Sequence, residues 1–128
     1  MKMKLNIFLS LSLFLLFLIG AAPVSAQDEK QAGGYTEISI KDKNVIKAAR
    51  FAVRERAKSQ NTTVNLVEIK NAKTQNVAGR NYEICLLTNY LNKRSDKLVD
   101  QFVRVVVRRD RKNKLSLTSW TQEYCLER

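Results

Sequence analysis

The chain has no histidine among its 128 residues. That absence removes the imidazole on which most nucleophile-activating hydrolases and most catalytic zinc sites rely. A lysine-activated nucleophile is formally open, yet no spacing suggests one, so the chain reads as no enzyme, with no metal site and no cofactor. Cysteine is almost as scarce: Cys85 and Cys125 are the two present, and they form no CxxC pair. Negative charge is also short, with 12 Asp plus Glu against 23 Lys plus Arg and a formal net charge of +11. Such an imbalance favours acidic partners, whether polyanions, anionic membrane surfaces or an acidic protein. Internal repeats and low-complexity segments are missing too.

The N-terminus holds the one long apolar run. Lys2 and Lys4 precede an almost wholly apolar stretch from Leu5 to Ile19, and Val24-Ser25-Ala26 offers small residues for cleavage before Gln27. This is the pattern of a secretory signal peptide over residues 1–26. Its apolar run of about 15 residues is short of the roughly 20 that span a bilayer. A secreted product with no membrane anchor after cleavage is expected. It keeps 21 basic side chains against 12 acidic ones, a net charge of +9. Such a compartment permits a disulfide.

About 102 residues remain for one small domain. Residues 27–34 are polar, end in Gly33-Gly34 and read as a flexible arm, with the domain proper at 35–128. Tyr35 to Ile40 alternates as a short strand. Asp42 is a fair N-cap for a helix from Lys43 to about Ser59, whose apolar positions Val45, Ala48, Ala49, Ala52 and Val53 recur with helical period. Ile46 and Phe51 widen that stripe, and its small alanines suit close packing on a sheet. Asn61-Thr62-Thr63 ends the helix and also fits the N-glycosylation pattern, with Asn61 as acceptor. Four strand-like segments follow: Val64 to Lys70, Asn81 to Leu91, Leu98 to Arg108 and Leu115 to Cys125. Consecutive strands with short links make an antiparallel meander, and one helix must cover its apolar face. The fold class is therefore α+β, one long helix across a twisted antiparallel sheet of about five strands.

The turn between the first two of those four strands is Gln75-Asn76-Val77-Ala78-Gly79. Gly79 can supply a positive φ, whereas an exposed Val-Ala is unusual in a loop that only reverses the chain. Three matches now come together in order: Gly33-Gly34, the helical stretch Ala49-Arg50-Phe51-Ala52-Val53-Arg54-Glu55, and this loop, which fits QxVxG. On them the chain resembles the cystatins, most closely the plant type. The resemblance is good from about Gly33 to Leu87 and looser beyond. It implies a reversible, tight inhibitor of papain-like cysteine proteases that fills the active-site cleft with the N-terminal arm, the first hairpin loop and a second hairpin loop. Gly33, Gly34, Gln75, Asn76, Val77, Ala78 and Gly79 would then contact the protease, the expected partner.

Two departures from the family are visible. Ala48 stands where the plant signature begins with a larger aliphatic residue. The family's Pro-Trp second loop is replaced by a basic segment around Arg109, Asp110 and Arg111, while Trp120 falls in the last strand. An aromatic wedge replaced by a basic loop should weaken binding generally or redirect it toward a protease with an acidic rim. A competing reading gathers Arg104, Arg108, Arg109, Arg111, Lys112 and Lys114 with Arg50, Arg54 and Arg56 into one basic surface for polyanions or anionic lipid. Nucleic acid is not an expected partner. A monomer is expected, with strand exchange between two copies left open. Whether Cys85 and Cys125 pair is open as well. One strand lies between theirs, a separation of about 9.6 Å, and a bridge needs Cα atoms within roughly 7 Å. Pairing requires the last residues to curl over the sheet.

Overall fold

The helix forms where its caps and its stripe require it. In the computed structural model, which describes residues 34–126, α1 runs Lys43–Gln60. The Asp42 carboxylate accepts from the N–H groups of Asn44 and Val45 at 2.8 and 3.2 Å, satisfying donors that the first turn leaves open. Asn61 closes the other end in the left-handed region at φ 48°, and the next N–H, from Thr62, reaches back to the Ala57 carbonyl at 3.1 Å. Between the caps, Val45, Ala48, Ala49, Ala52 and Val53 are buried. The alanines bring the helix axis close to the sheet, so valine and isoleucine side chains from the strands fill the space.

Those strands are β1 Thr36–Glu37, β2 Val64–Asn76, β3 Arg80–Asn92, β4 Lys97–Arg109 and β5 Leu115–Gln122. They form one sheet in the order β1-β2-β3-β4-β5, with all four pairings antiparallel. Tyr82, Ile84 and Leu86 from β3, Val103, Val105 and Val107 from β4 and Ala72 from β2 face the helix and complete the core. Each fully buried valine, isoleucine or leucine stabilises the fold by roughly 1.5–3 kcal/mol relative to exposure. On β2 the inward residues Leu66, Ile69 and Ala72 are three apart, which plain alternation forbids. Register breaks between Leu66 and Glu68 and between Ile69 and Asn71 explain it. Each break inserts one extra residue and resets the face, and the first leaves Val67 exposed.

Several boundaries differ from the sequence reading. β1 is two residues rather than Tyr35 to Ile40, because after the Ile38 N–H bonds the Ala72 carbonyl the chain turns toward the helix. β2 continues past Lys70 to Asn76, since polar Asn71 to Asn76 still has β3 to pair with. β5 stops at Gln122, short of Cys125. There the Glu123 N–H bonds the Phe102 carbonyl at 3.2 Å and the chain crosses the sheet face away from the helix. Cys125 thereby reaches Cys85, with the Cα atoms 5.6 Å apart in a disulfide. The Asn71 side chain donates to the Cys125 carbonyl at 3.3 Å, and Phe102 meets Tyr124 edge to face. The proposed signal peptide and residues 27–33 of the arm lie outside the described residues.

The disulfide joins positions 40 residues apart, for which the loop-closure model gives about 4 kcal/mol of stabilisation. The Cys85→Ala/Cys125→Ala double variant should lose an amount of that order in urea-induced unfolding while keeping its helix signal. An unchanged midpoint would mean that the tail contributes nothing beyond its packing.

Candidate functional site

The β2–β3 hairpin narrows to three loop residues, because Asn76 and Arg80 are the last pair of the ladder. So tight a reversal needs backbone in the left-handed region, and both Ala78 at φ 43° and Gly79 at φ 121° supply it. Gly79 is required for a second reason. A Cβ there would collide with the backbone carbonyl of Arg109, on the neighbouring strand β4. Below the tip the strands are braced by side chains. Asn81 donates to Gln75 Oε1 at 3.1 Å, Arg80 Nε to Asn76 Oδ1 at 3.0 Å, and Thr74 Oγ1 to the Asn81 carbonyl at 3.2 Å. From β4, Arg108 Nη2 donates to the Ala78 carbonyl at 2.7 Å. Val77 stands out from this frame 40% exposed.

The second hairpin, between β4 and β5, lies beside the first because Arg109 and Arg108 pair with Arg80 and Asn81. Its loop, Asp110 to Lys114, is organised from within. Asp110 Oδ1 accepts from the Lys112 and Lys114 N–H groups at 2.9 and 2.8 Å, and the Asp110 N–H bonds the Lys114 carbonyl at 3.0 Å. The loop's one carboxylate is thus committed to its own backbone. Arg111, Lys112 and Lys114 are exposed, so the tip presents positive charge. Trp120 is on β5 opposite Val105, with the Arg56 guanidinium 5.3 Å from its ring centre, and takes no part in the loop.

The third segment arrives through β1. Thr36 pairs with Thr74 and Glu37 with Lys73, so the chain before Thr36 runs toward the end of the sheet that holds Gln75 and Asn76. Gly34 is exposed there; Gly33 is outside the described residues. Burial, then the nearby charge of Glu83, raises the pKa of the Tyr35 hydroxyl, which stays neutral. The arm's end, the Val77 tip and the basic loop therefore share one end of the sheet. Asn61 lies at the other, where Lys93 from the β3–β4 hairpin donates to its carbonyl at 3.1 Å. Among the described residues no group of His, Cys, Asp or Glu could hold a metal ion.

The nine basic residues do not make one surface. Arg104 is on the face away from the helix, between Glu83 and Glu123. Partial burial works against its charge, but the hydrogen bond and charge of Glu83, seconded by Glu123, raise its pKa above the ordinary value. Arg50 and Arg54 are on the exposed side of α1, across the sheet from Arg104. Two roles had no signal in the sequence. Arg108 read as a surface charge, and its bond to Ala78 depends on the β3–β4 register. Asp110, a candidate contact in the sequence, also braces its own loop.

One helix across a five-stranded antiparallel meander, with two hairpin tips and the N-terminal segment at one end, is the cystatin fold. Similar solved structures include a salivary cystatin from the soft tick Ornithodoros moubata, at TM-score 0.60 and 19% identity over 73% of this chain and 100% of that one. Al-CPI aligns at TM-score 0.55 and 18% identity over 71% and 100%, and dimeric human cystatin F at 0.58 and 15% over 84% and 99%. The chain belongs to the SQAPI family of proteinase inhibitors, described as aspartic acid proteinase inhibitor, whose model matches residues 38–123.

The geometry separates the two positive-φ residues. Gly79→Ala adds both strain and a backbone collision, and should cost on the order of 1–3 kcal/mol in denaturant unfolding while shifting the Arg109 amide resonance. Ala78→Gly relieves a left-handed alanine and should be neutral or stabilising by up to about 1 kcal/mol. Equal effects at the two sites would contradict the close approach of Gly79 to β4.

Proposed function

We propose that the protein is a secreted, reversible inhibitor of papain-like cysteine proteinases that occupies the active-site cleft with the end of the sheet described above. The observation that carries this reading is Val77: a half-exposed aliphatic side chain at the tip of a hairpin whose backbone is held from both sides. Buried in a cleft, a valine side chain contributes roughly 1.5–3 kcal/mol, and the braced loop loses little conformational entropy on docking. Gln75 and Asn76 hold the hairpin, Ala78 and Gly79 turn it, and Gly33-Gly34 let the arm follow the cleft. A closed turn offers no extended peptide bond to a nucleophile, so the inhibitor blocks by occupancy. Residues 1–26 and the Cys85–Cys125 bridge support passage through an oxidising secretory compartment.

The family's description favours a second reading, inhibition of aspartic proteinases. The basic tip at Arg111, Lys112 and Lys114 suits a target with an acidic rim under either reading.

Titration of papain near neutral pH and of pepsin in acid, by the chain beginning at Gln27, separates the two. Papain should be inhibited stoichiometrically, and Val77→Asp should weaken the inhibition by about a hundredfold or more, since it removes apolar contact and places a charge in a dry cleft. Inhibition of pepsin alone would establish the second reading, and a folded chain that inhibits neither would remove both. Raising salt should weaken binding through the basic tip only modestly if Val77 is the main anchor.

A further inference from the structure

On the helix side of the same end lies a pocket of about 310 Å³ lined by Asn44, Lys47, Tyr82, Arg109, Asn113 and Leu115. Tyr82 is fully buried there, and its hydroxyl finds no hydrogen-bond partner in the protein. An unpartnered buried hydroxyl is destabilising, and phenylalanine would fill the same volume in the core without that cost. The other lining groups have one electrostatic character. Lys47 and Arg109 are cationic, the Arg109 guanidinium stands 5.9 Å from the Tyr82 ring centre, and Asn44 and Asn113 bring amides that can donate.

The two carboxylates nearest in sequence keep their charge but do not line the pocket, and each turns an oxygen to backbone. Asp42 Oδ1 is engaged by the N–H groups of Asn44 and Val45, and Asp110 Oδ1 by those of Lys112 and Lys114. The first turn of α1 carries no acidic residue. Because Asp42 already caps the helix, the helix end itself adds little, and side chains must do the binding. A ligand that answers two cations, two amides and one hydroxyl must be negative and rich in acceptors. We propose that this pocket binds a small oxyanion of the sulfate, phosphate or carboxylate type, held by Lys47 and Arg109, with the covered Tyr82 hydroxyl reached when the Arg109 side chain over its ring shifts to meet the ion. Bound there, the oxyanion ties α1 to the β4–β5 hairpin through Asn44 and Lys47 on one side and Arg109 and Asn113 on the other. Such an oxyanion has two sources, a free ion or a group carried on a sulfated polysaccharide.

The test is titration of the isotopically labelled chain beginning at Gln27 with sodium sulfate, against sodium chloride at matched ionic strength, read by amide chemical shifts. Saturable shifts specific to sulfate are expected at Asn44, Lys47 and Asn113. Tyr82→Phe, which keeps the ring and the core, should weaken them about tenfold, as loss of one charge-assisted hydrogen bond does; Lys47→Met should do the same. A parallel titration with a heparin oligosaccharide distinguishes the sources. Tighter binding that both variants weaken points to the polymer, and binding no tighter than inorganic sulfate points to the free ion. Shifts that do not saturate, that chloride reproduces, or that survive in both Tyr82→Phe and Lys47→Met would overturn the proposal and leave the hydroxyl to water.

Discussion

The closest dependency in this molecule is between two loops, where the backbone of Gly79 lies against the Arg109 carbonyl with no room for a side chain. That contact, with the Arg108 bond to the Ala78 carbonyl, makes one object of two hairpins that are separate in sequence. It holds only while β3 and β4 keep the register that sets Arg80 opposite Arg109. A slip of one residue would turn Tyr82, Ile84 and Leu86 away from the helix, so core packing and loop geometry enforce each other. The position of Val77 is therefore a consequence of the core.

The sheet is stabilised differently on its two faces. Toward the helix it is apolar and closely packed around a stripe of small residues. The opposite face is covered at its centre by the returning tail, pinned by the Cys85–Cys125 bridge, the Asn71 bond, the Phe102–Tyr124 ring contact and the Arg104 pairs with Glu83 and Glu123. A small domain has little core to spare, and this second layer supplies cross-links on the face that no helix covers among the described residues. Both layers stiffen β3 and β4, the strands that carry the loops. A surface held rigid before binding loses less entropy on docking than a mobile one.

Much of this was legible in the chain. The helical stripe at Val45, Ala48, Ala49, Ala52 and Val53 coincides with the buried face, because a period of 3.6 is a local property. The meander followed from short links between apolar segments, and the turn that the structure narrows to Val77 to Gly79 followed from its place between two strands and from Gly79. Properties set by pairing were not legible. β2 runs on through Asn71 to Asn76, where composition suggests a loop, and its bulges put Leu66, Ile69 and Ala72 on one face against simple alternation. The disulfide depended on a tail that reverses after Gln122. Arg104 resembled a surface cation until the fold set two carboxylates beside it. Tyr82 could be read only as a core aromatic, since whether its hydroxyl finds a partner depends on residues from three other parts of the chain.

Under the proposed function, the arm, the Val77 tip and the basic loop meet a proteinase together as one surface. Amide hydrogen exchange of the chain, alone and in complex with the proteinase it inhibits, tests this most directly. Slowed exchange confined to the segments around Tyr35, Val77 to Gly79 and Arg111 to Lys112 is the predicted footprint. Protection at the opposite end, around Asn61 and the Asn92 to Lys97 hairpin, with none at Val77 to Gly79, would contradict it.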